Sequence, residues 1–340
     1  MSEWHERLWK LDSPAYRVAS TLLVPAELAY RAAVAARTWM YDRGFLSSVP
    51  APITALGVGN LTVGGTGKTP VTAWFAETLG ARGLVPAVVM RGYGRDEVRV
   101  HRLLNPEVPV HASADRVRGV QRAEQGGANV VVLDDAFQHR ALQADAYVVL
   151  VAAEEWSTPP RLLPRGPWRE PLKALERATL IVTTRKVATR LAAQRVVEEL
   201  TELCPSAQTA QAYIGLAGLA RYDETGDRLG EPAPPAGFHC ALALAGVARP
   251  GIVFTQMEEA GATADERWGF PDHHRYGNRE IDRIAQRAQH GPLLTTLKDA
   301  VKLGPVLGPT VDLYVLLQKV EWESGREAID SLVCDLERKG

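Results

Sequence analysis

The strongest chemical signal in the chain is Gly59-Asn60-Leu61-Thr62-Val63-Gly64-Gly65-Thr66-Gly67-Lys68-Thr69. Glycines at 64, 65 and 67 let the backbone curl until consecutive N–H groups face one anion, at the positive end of a following helix. Lys68 supplies a cation to the β- and γ-phosphates of a nucleotide, and Thr69 offers a hydroxyl to magnesium. The block lies between the apolar run Ile53 to Val58 and a helix expected from Lys68, the setting a P-loop requires. Pro70 falls in the first helical turn, where its missing N–H costs little. Strict spacing would place glycine at position 62, which is threonine, so the loop is a variant; Thr62 to Thr69 form the expected nucleotide cradle.

A second run, Val130-Val131-Val132-Leu133-Asp134-Asp135, ends a buried strand in acid, which is how P-loop proteins bring a carboxylate to magnesium. Thr183-Thr184-Arg185-Lys186 also follows a strand but lacks the Asn-Lys-x-Asp pattern of guanine recognition, so ATP is favoured over GTP.

These residues need a scaffold, and the chain is long enough to build one. It has 340 residues, 46% hydrophobic, which points to about two domains. The net charge of -1 argues against a nucleic-acid partner. Cys204, Cys240 and Cys334 are widely spaced and form no CxxC pair, so neither a disulfide framework nor a zinc site is expected. The N-terminal residues are unlike a signal peptide, and no window reaches the ~18 uninterrupted apolar residues of a spanning helix.

From Ala51 onward, apolar runs at 53–58, 85–90, 129–133, 146–151 and 180–184 alternate with helical patterns from 68, near 114–125, and up to Leu203. Continuous Val/Leu runs separated by helices predict an α/β fold, a P-loop doubly wound mainly parallel sheet. A Pro/Gly/Asp-rich stretch at about 220–236 reads as a linker. Beyond it, 239–245, a helix after Pro250, a helix at 278–289, 292–296, a strand at 314–320 and a helix at 325–338 predict a second, smaller α/β domain. The expected division is 1–220 and 221–340.

Residues 13–46 read as one helix, with a stripe of Leu23, Tyr30, Val34 and Tyr41 and an excess of arginine. Two readings are open: a helix that covers a sheet, or one lying on an anionic bilayer with that stripe in the headgroup region.

Together with Arg91-Gly92-Tyr93-Gly94 and Asp134-Asp135-Ala136-Phe137-Gln138-His139, the P-loop block resembles the tetraacyldisaccharide 4'-kinase family, the lipid A 4'-kinases. Ala114-Asp115-Arg116, Leu163-Pro164-Arg165-Gly166-Pro167-Trp168-Arg169-Glu170, Ala245-Gly246-Val247-Ala248, Phe270-Pro271-Asp272-His273 and Thr295-Thr296-Leu297-Lys298-Asp299-Ala300-Val301-Lys302 extend the resemblance over nearly the whole chain. Thr62 is shared with the family. Ala136 replaces a glycine, and only Arg95 separates Gly94 from Asp96-Glu97, where the family has a longer segment leading to Gly-Asp-Glu-Pro.

The resemblance implies transfer of the ATP γ-phosphate to the 4'-hydroxyl of a tetraacylated disaccharide 1-phosphate. It implies a peripheral protein on the cytoplasmic face of the inner membrane, held through residues 13–46, and a monomer is expected. It further implies two α/β/α domains joined by two strands, near 208–218 and 314–320, with the last helix returning to the first domain. Asp96 matches the family's general base, supported by His273 from the second domain across a cleft, with domain closure uniting the pair; Lys68 completes the catalytic set. Thr69 and Asp134 are first choices for Mg2+, with Asp135 and Glu97 as further acids. Arg91, Arg165 and Arg169 suit a phosphate through their guanidinium forks. Gln138 and His139 either touch nucleotide or sugar or brace the loop.

The rival reading is a P-loop switch or metal-delivery NTPase with a similar glycine loop. Against it, Val63 stands where deviant loops carry a second lysine, and no Cys/His cluster suits a delivered metal. A third is a nucleotide-binding module without turnover.

Overall fold

A computed structural model describes residue 9 and residues 14–92, 95–157, 160–223, 229–309 and 311–340. Position 13 of the expected first helix, Tyr93-Gly94 of the arginine-glycine motif and 224–228 of the expected linker lie outside the described residues. In chain order the helices are α1 (Pro14–Leu22), α2 (Val24–Asp42), α3 (Lys68–Ala81), α4 (Arg95–Leu104), α5 (Arg116–Gln125), α6 (Arg190–Leu203), α7 (Pro250–Glu259), α8 (Asn278–Ala288), α9 (Leu297–Leu307) and α10 (Arg326–Lys339). The main strands are β1 (Thr54–Asn60), β2 (Pro86–Met90), β3 (Val110–Ala112), β4 (Val130–Leu133), β5 (Ala146–Ala152), β6 (Leu180–Arg185), β7 (Gln208–Arg221), β8 (His239–Gly246), β9 (Thr263–Phe270), β10 (Leu293–Thr296) and β11 (Leu313–Ser324).

The chain divides into two units. The larger takes the described residues up to Arg91, then Val108–Ala212 and Trp322–Gly340; the smaller takes Gly92–Glu107 and Tyr213–Glu321. This differs from a single cut after residue 220. The segment 92–107 joins the second unit because Val100 and Leu103, on one face of α4, are buried with Leu297, Val301 and Ile284. The last helix lies in the larger unit, and the chain passes between units within β7, after Ala212, and within β11, after Glu321.

In the larger unit the strands run in the order β6-β5-β1-β4-β2-β3, all parallel. Every residue of β1 and β4 is buried, as expected for strands covered on both faces. In the smaller unit β9-β8-β10-β11 are again parallel. The fold is therefore α/β with mainly parallel sheets. Strand order reverses at β1, and ligands of such sheets gather beyond the carboxyl ends of the strands flanking a reversal.

The expected single N-terminal helix is two helices bent by 48°. The break falls at Leu23, because Pro25 in the first turn of α2 has no N–H for the preceding turn and its ring crowds the carbonyl there. Among the described residues no single helix is long and apolar enough to cross a membrane. The stripe of Leu23, Tyr30, Val34 and Tyr41 is half-buried, as the covering reading of this segment would have it. Tyr30 Oη donates to Arg169 O at 3.0 Å, and Arg140 lies over the Tyr41 ring. The exposed apolar side chains are instead Val18, Leu22, Leu28, Trp39 and Phe45.

Asp96 and Glu97 occupy the first turn of α4, where acids are favoured by the helix dipole.

Candidate active site

Toward the carboxyl end of β1 two glycines are required, one by the chain after β4 and one by a side chain of β5. A Cβ on Gly59 would lie 2.6 Å from Phe137 Cβ and 2.9 Å from its N, and one on Gly57 would meet the Tyr147 ring. Beyond β1 the loop is held from both sides. On one side, Val63 N donates to Pro167 O (2.8 Å) and Arg169 N to Leu61 O (2.7 Å). On the other, Thr184 Oγ1 donates to Thr66 O (2.9 Å) and Lys186 Nζ to Gly65 O (2.7 Å). Gly64 and Gly67 adopt positive φ (138° and 90°), open to glycine at little cost. Gly67 caps α3 with no side-chain hydrogen bond, and a helix start of this kind suits an anion.

Four side chains converge here. Buried Asn60, the last residue of β1, donates through Nδ2 to Thr66 Oγ1 (3.0 Å), while its Oδ1 accepts from Lys68 Nζ (3.2 Å) and from Arg169. Lys68 Nζ also stands 3.6 Å from Asp135 Oδ1. Arg169 grips Asp135 with both Nη atoms, at 3.1 and 3.3 Å. Asp135 is held at a φ of 48°, a left-handed angle that a non-glycine residue keeps only where its neighbours enforce it. Burial works to raise its pKa, but Lys68 and Arg169 outweigh it and hold the carboxyl at about 2. Its side chain is nevertheless 46% exposed, open to a ligand on one side.

Asp134, next to it, is buried. Its Oδ1 accepts from Asp135 N (2.9 Å) and from Thr72 Oγ1 (3.4 Å), and its carbonyl accepts from buried Arg116 (3.4 Å). Thr69 lies half-buried in the first turn of α3. Among the described residues no three His, Cys, Asp or Glu side chains group into a metal cage. A Mg2+ ion keeps water and phosphate ligands and takes only one or two carboxylates from a protein. The donors available are oxygens of Thr69, Asp134 and Asp135, hard ligands that fit this ion.

Gln138 is a brace: its Nε2 donates to Asn60 O at 2.7 Å, and its own carbonyl accepts from Arg37 at 2.8 Å. His139 has its pKa lowered, first by burial and then by Arg116, Arg37 and Arg91. Arg91 is exposed just beyond β2. Arg165 is engaged elsewhere, with Glu27 (3.1 Å) and Ser20 (3.2 Å) of the N-terminal helices. Thr62 Oγ1 donates to Glu155 (3.4 Å). Asn60, Thr72, Arg116 and Lys186 were not singled out from sequence. Asn60 carried a signal as a polar residue closing an apolar run directly before the glycine loop, and Arg116 and Lys186 stood in quoted motifs without a role of their own.

The smaller unit holds Asp96, Glu97 and His273. Asp96 and His273, expected on different domains, thus belong to one unit, since α4 packs on α9. Asp96 Oδ2 lies 3.6 Å from Lys302 Nζ. His273 is exposed at a φ of 58°, its N–H donating to Asp272 Oδ1 (3.1 Å). His274 instead stacks on Phe270 (4.7 Å between centroids) and meets Glu280 at 3.0 Å.

A family model described as tetraacyldisaccharide-1-P 4'-kinase matches residues 19–336. A tetraacyldisaccharide 4'-kinase of Anaeromyxobacter sp. (strain Fw109-5) is 36% identical, with 88% of this chain and 87% of that protein covered. One of Anaeromyxobacter dehalogenans (strain 2CP-C) is also 36% identical, over 96% and 91%. The crystal structure of LpxK from Aquifex aeolicus in complex with ATP superposes with a TM-score of 0.73 at 27% identity, covering 94% of this chain and 99% of that one. With its glycine loop, the paired acids after β4 and the parallel sheet in place, the chain belongs to the tetraacyldisaccharide-1-phosphate 4'-kinase family.

Proposed function

We infer that this chain is a tetraacyldisaccharide 4'-kinase that moves the γ-phosphate of ATP to the 4'-hydroxyl of a tetraacyldisaccharide 1-phosphate in lipid A synthesis. The observation that carries the site assignment is the convergence of Lys68, Asn60, Asp135 and Arg169 at the end of β1, beside an uncapped helix start. Lys68 and the N–H groups of α3 hold the phosphates, and Arg169 adds a second cation where charge shifts during transfer. Bound Mg2+, held by Thr69 and Asp134 with Asp135 beside them, would supply further positive charge to the phosphate oxygens. Glu97, the remaining acid considered for the metal, stands in the smaller unit.

Asp96 is the proton acceptor in this reading and His273 its partner. The 4'-oxygen forms a bond to the γ-phosphorus while the bridging oxygen–phosphorus bond breaks. The bond's electron pair leaves with ADP, and the hydroxyl proton passes to the Asp96 carboxylate and on to solvent. Family and relatives leave the switch or metal-delivery reading unfavoured.

The protein is read as peripheral on the cytoplasmic face of the inner membrane and as a monomer. Exposed Leu22, Leu28, Trp39 and Phe45 beside the arginines of α2 support the membrane contact, since aromatic and aliphatic side chains with nearby cations favour an anionic lipid surface. The test is label transfer from γ-labelled ATP to the acceptor lipid. Acceptor-dependent labelling supports the kinase; free phosphate released regardless of acceptor refutes it.

A further inference from the structure

Helix α9 touches both of the elements that carry the proposed proton-accepting groups. Its residues 299 and 302 are three apart, so their side chains share one side of the helix. Lys302 Nζ stands 3.6 Å from Asp96 Oδ2, both side chains about four-fifths buried (19% and 18% exposed). Such a pair is screened by water far less than a surface one. Arg99 Nη1 donates to Val301 O (3.4 Å), and Val100 and Leu103 pack with Leu297 and Val301, so α4 is fixed along α9 at several points. That packing sets where the Asp96 backbone lies; Lys302 sets where its carboxylate lies.

Asp299 is fully buried and accepts three hydrogen bonds, from Gly246 N (2.8 Å), Thr296 Oγ1 (2.7 Å) and Tyr276 Oη (2.9 Å). The first two close the corner where β8 and β10 meet α9. The third reaches out to the segment after β9 that presents His273. Burial, and then the Asp299 charge, raise the Tyr276 pKa, so the phenol stays a donor. The same segment is tied at His274 by Phe270 and by Glu280, whose Oε2 also accepts from Gly277 N (2.8 Å). His273 stands between these ties, exposed, in its left-handed conformation.

We propose that Lys302 and Asp299 are positioning residues: from one rigid helix they hold the Asp96 carboxylate and the His273 segment in fixed register within the smaller unit. The proton-accepting pair is then assembled on one body, not by closure of two. The proposal rests on the reading of Asp96 as proton acceptor.

Steady-state kinetics on the full chain, with ATP and detergent-dispersed tetraacyldisaccharide 1-phosphate, test it. Lys302→Met lowers kcat at least about tenfold with KM for ATP unchanged, Lys302→Arg restores most of the rate, and Lys302→Met adds little to the loss in Asp96→Asn. Because Asp299 supports folding directly, Tyr276→Phe tests the other arm: kcat falls about fivefold while Tm and KM for ATP stay near the parent. Lys302→Met with kcat within about twofold of the parent, beside an Asp96→Asn that has lost more than about a hundredfold, overturns the positioning role and leaves the base assignment standing. A loss in Lys302→Met that arginine does not restore, or that is fully additive with Asp96→Asn, also overturns it. Near-parental kcat in Asp96→Asn overturns both readings at once.

Discussion

Lys68 and Asn60 meet at 3.2 Å across the glycine loop, the ammonium donating to the Asn60 amide oxygen that Arg169 also contacts. A single neutral side chain thus orients two cations at the site where a triphosphate would lie. An amide does this without cancelling their charge, and its N–H2 is left to hold Thr66 inside the loop.

Asn60→Ala removes the acceptor for both cations and the donor to Thr66. The expected result is a stability loss of about 1–3 kcal/mol and ATP affinity weakened roughly tenfold. Thermal unfolding and nucleotide titration measure the two separately. Unchanged ATP affinity would show that Lys68 finds its phosphate without Asn60.

Gly59→Ala places a methyl against the Phe137 backbone, a neighbour that cannot rotate away. The strand or the loop after β4 must shift, at a cost of about 1–3 kcal/mol. Because that loop carries Asp134 and Asp135, ATP affinity should fall together with Tm. Gly80→Ala, whose added methyl meets Pro86 at 3.6 Å, is the control that should keep both.

The Asp135 carboxyl is held at about 2 against an ordinary 3.8. A depressed carboxyl contributes stability above its unfolded pKa and loses it as pH falls toward the folded value. Arg169→Gln removes part of the cause, so the Tm gap between parent and variant should be full near neutral pH and shrink as pH falls from about 4 to about 2. A gap that stays constant to pH 2 would mean that Arg169 acts through packing rather than charge.

Membrane contact is predicted for the face carrying Leu22, Leu28, Trp39 and Phe45, which are 52–75% exposed. Changing Leu22, Leu28 and Trp39 to serine should release the protein from anionic vesicles with a water-soluble acceptor still phosphorylated. Tyr30→Ser should instead disturb the loop at Arg169 O and lower activity in both assays. Retention on vesicles by the triple variant would refute the assignment of this face.

The nucleotide half of the site was legible in sequence because its chemistry is local: a glycine loop, its lysine and the acids closing β4 are each encoded within a few residues, and parallel strands buried on both faces announce themselves as apolar runs. Strand β9 is not legible in the sequence because its exposure alternates along polar-rich Thr-Ala-Asp-Glu-Arg-Trp-Gly-Phe. Helix α9 was hidden inside a short motif whose capping threonine, Thr296, closes the strand before it.

By itself the sequence determined the P-loop, the α/β alternation and the family, since each depends on neighbours in the chain or on the order of short motifs. Tertiary structure alone decided which unit α4 joins, which face of α2 is exposed, that Arg165 serves Glu27 while Arg169 serves Asp135, and that Lys302 stands by Asp96. Those outcomes are set by which buried face finds a partner distant in sequence, and residue spacing along a chain does not encode the distance between two faces that meet only on folding.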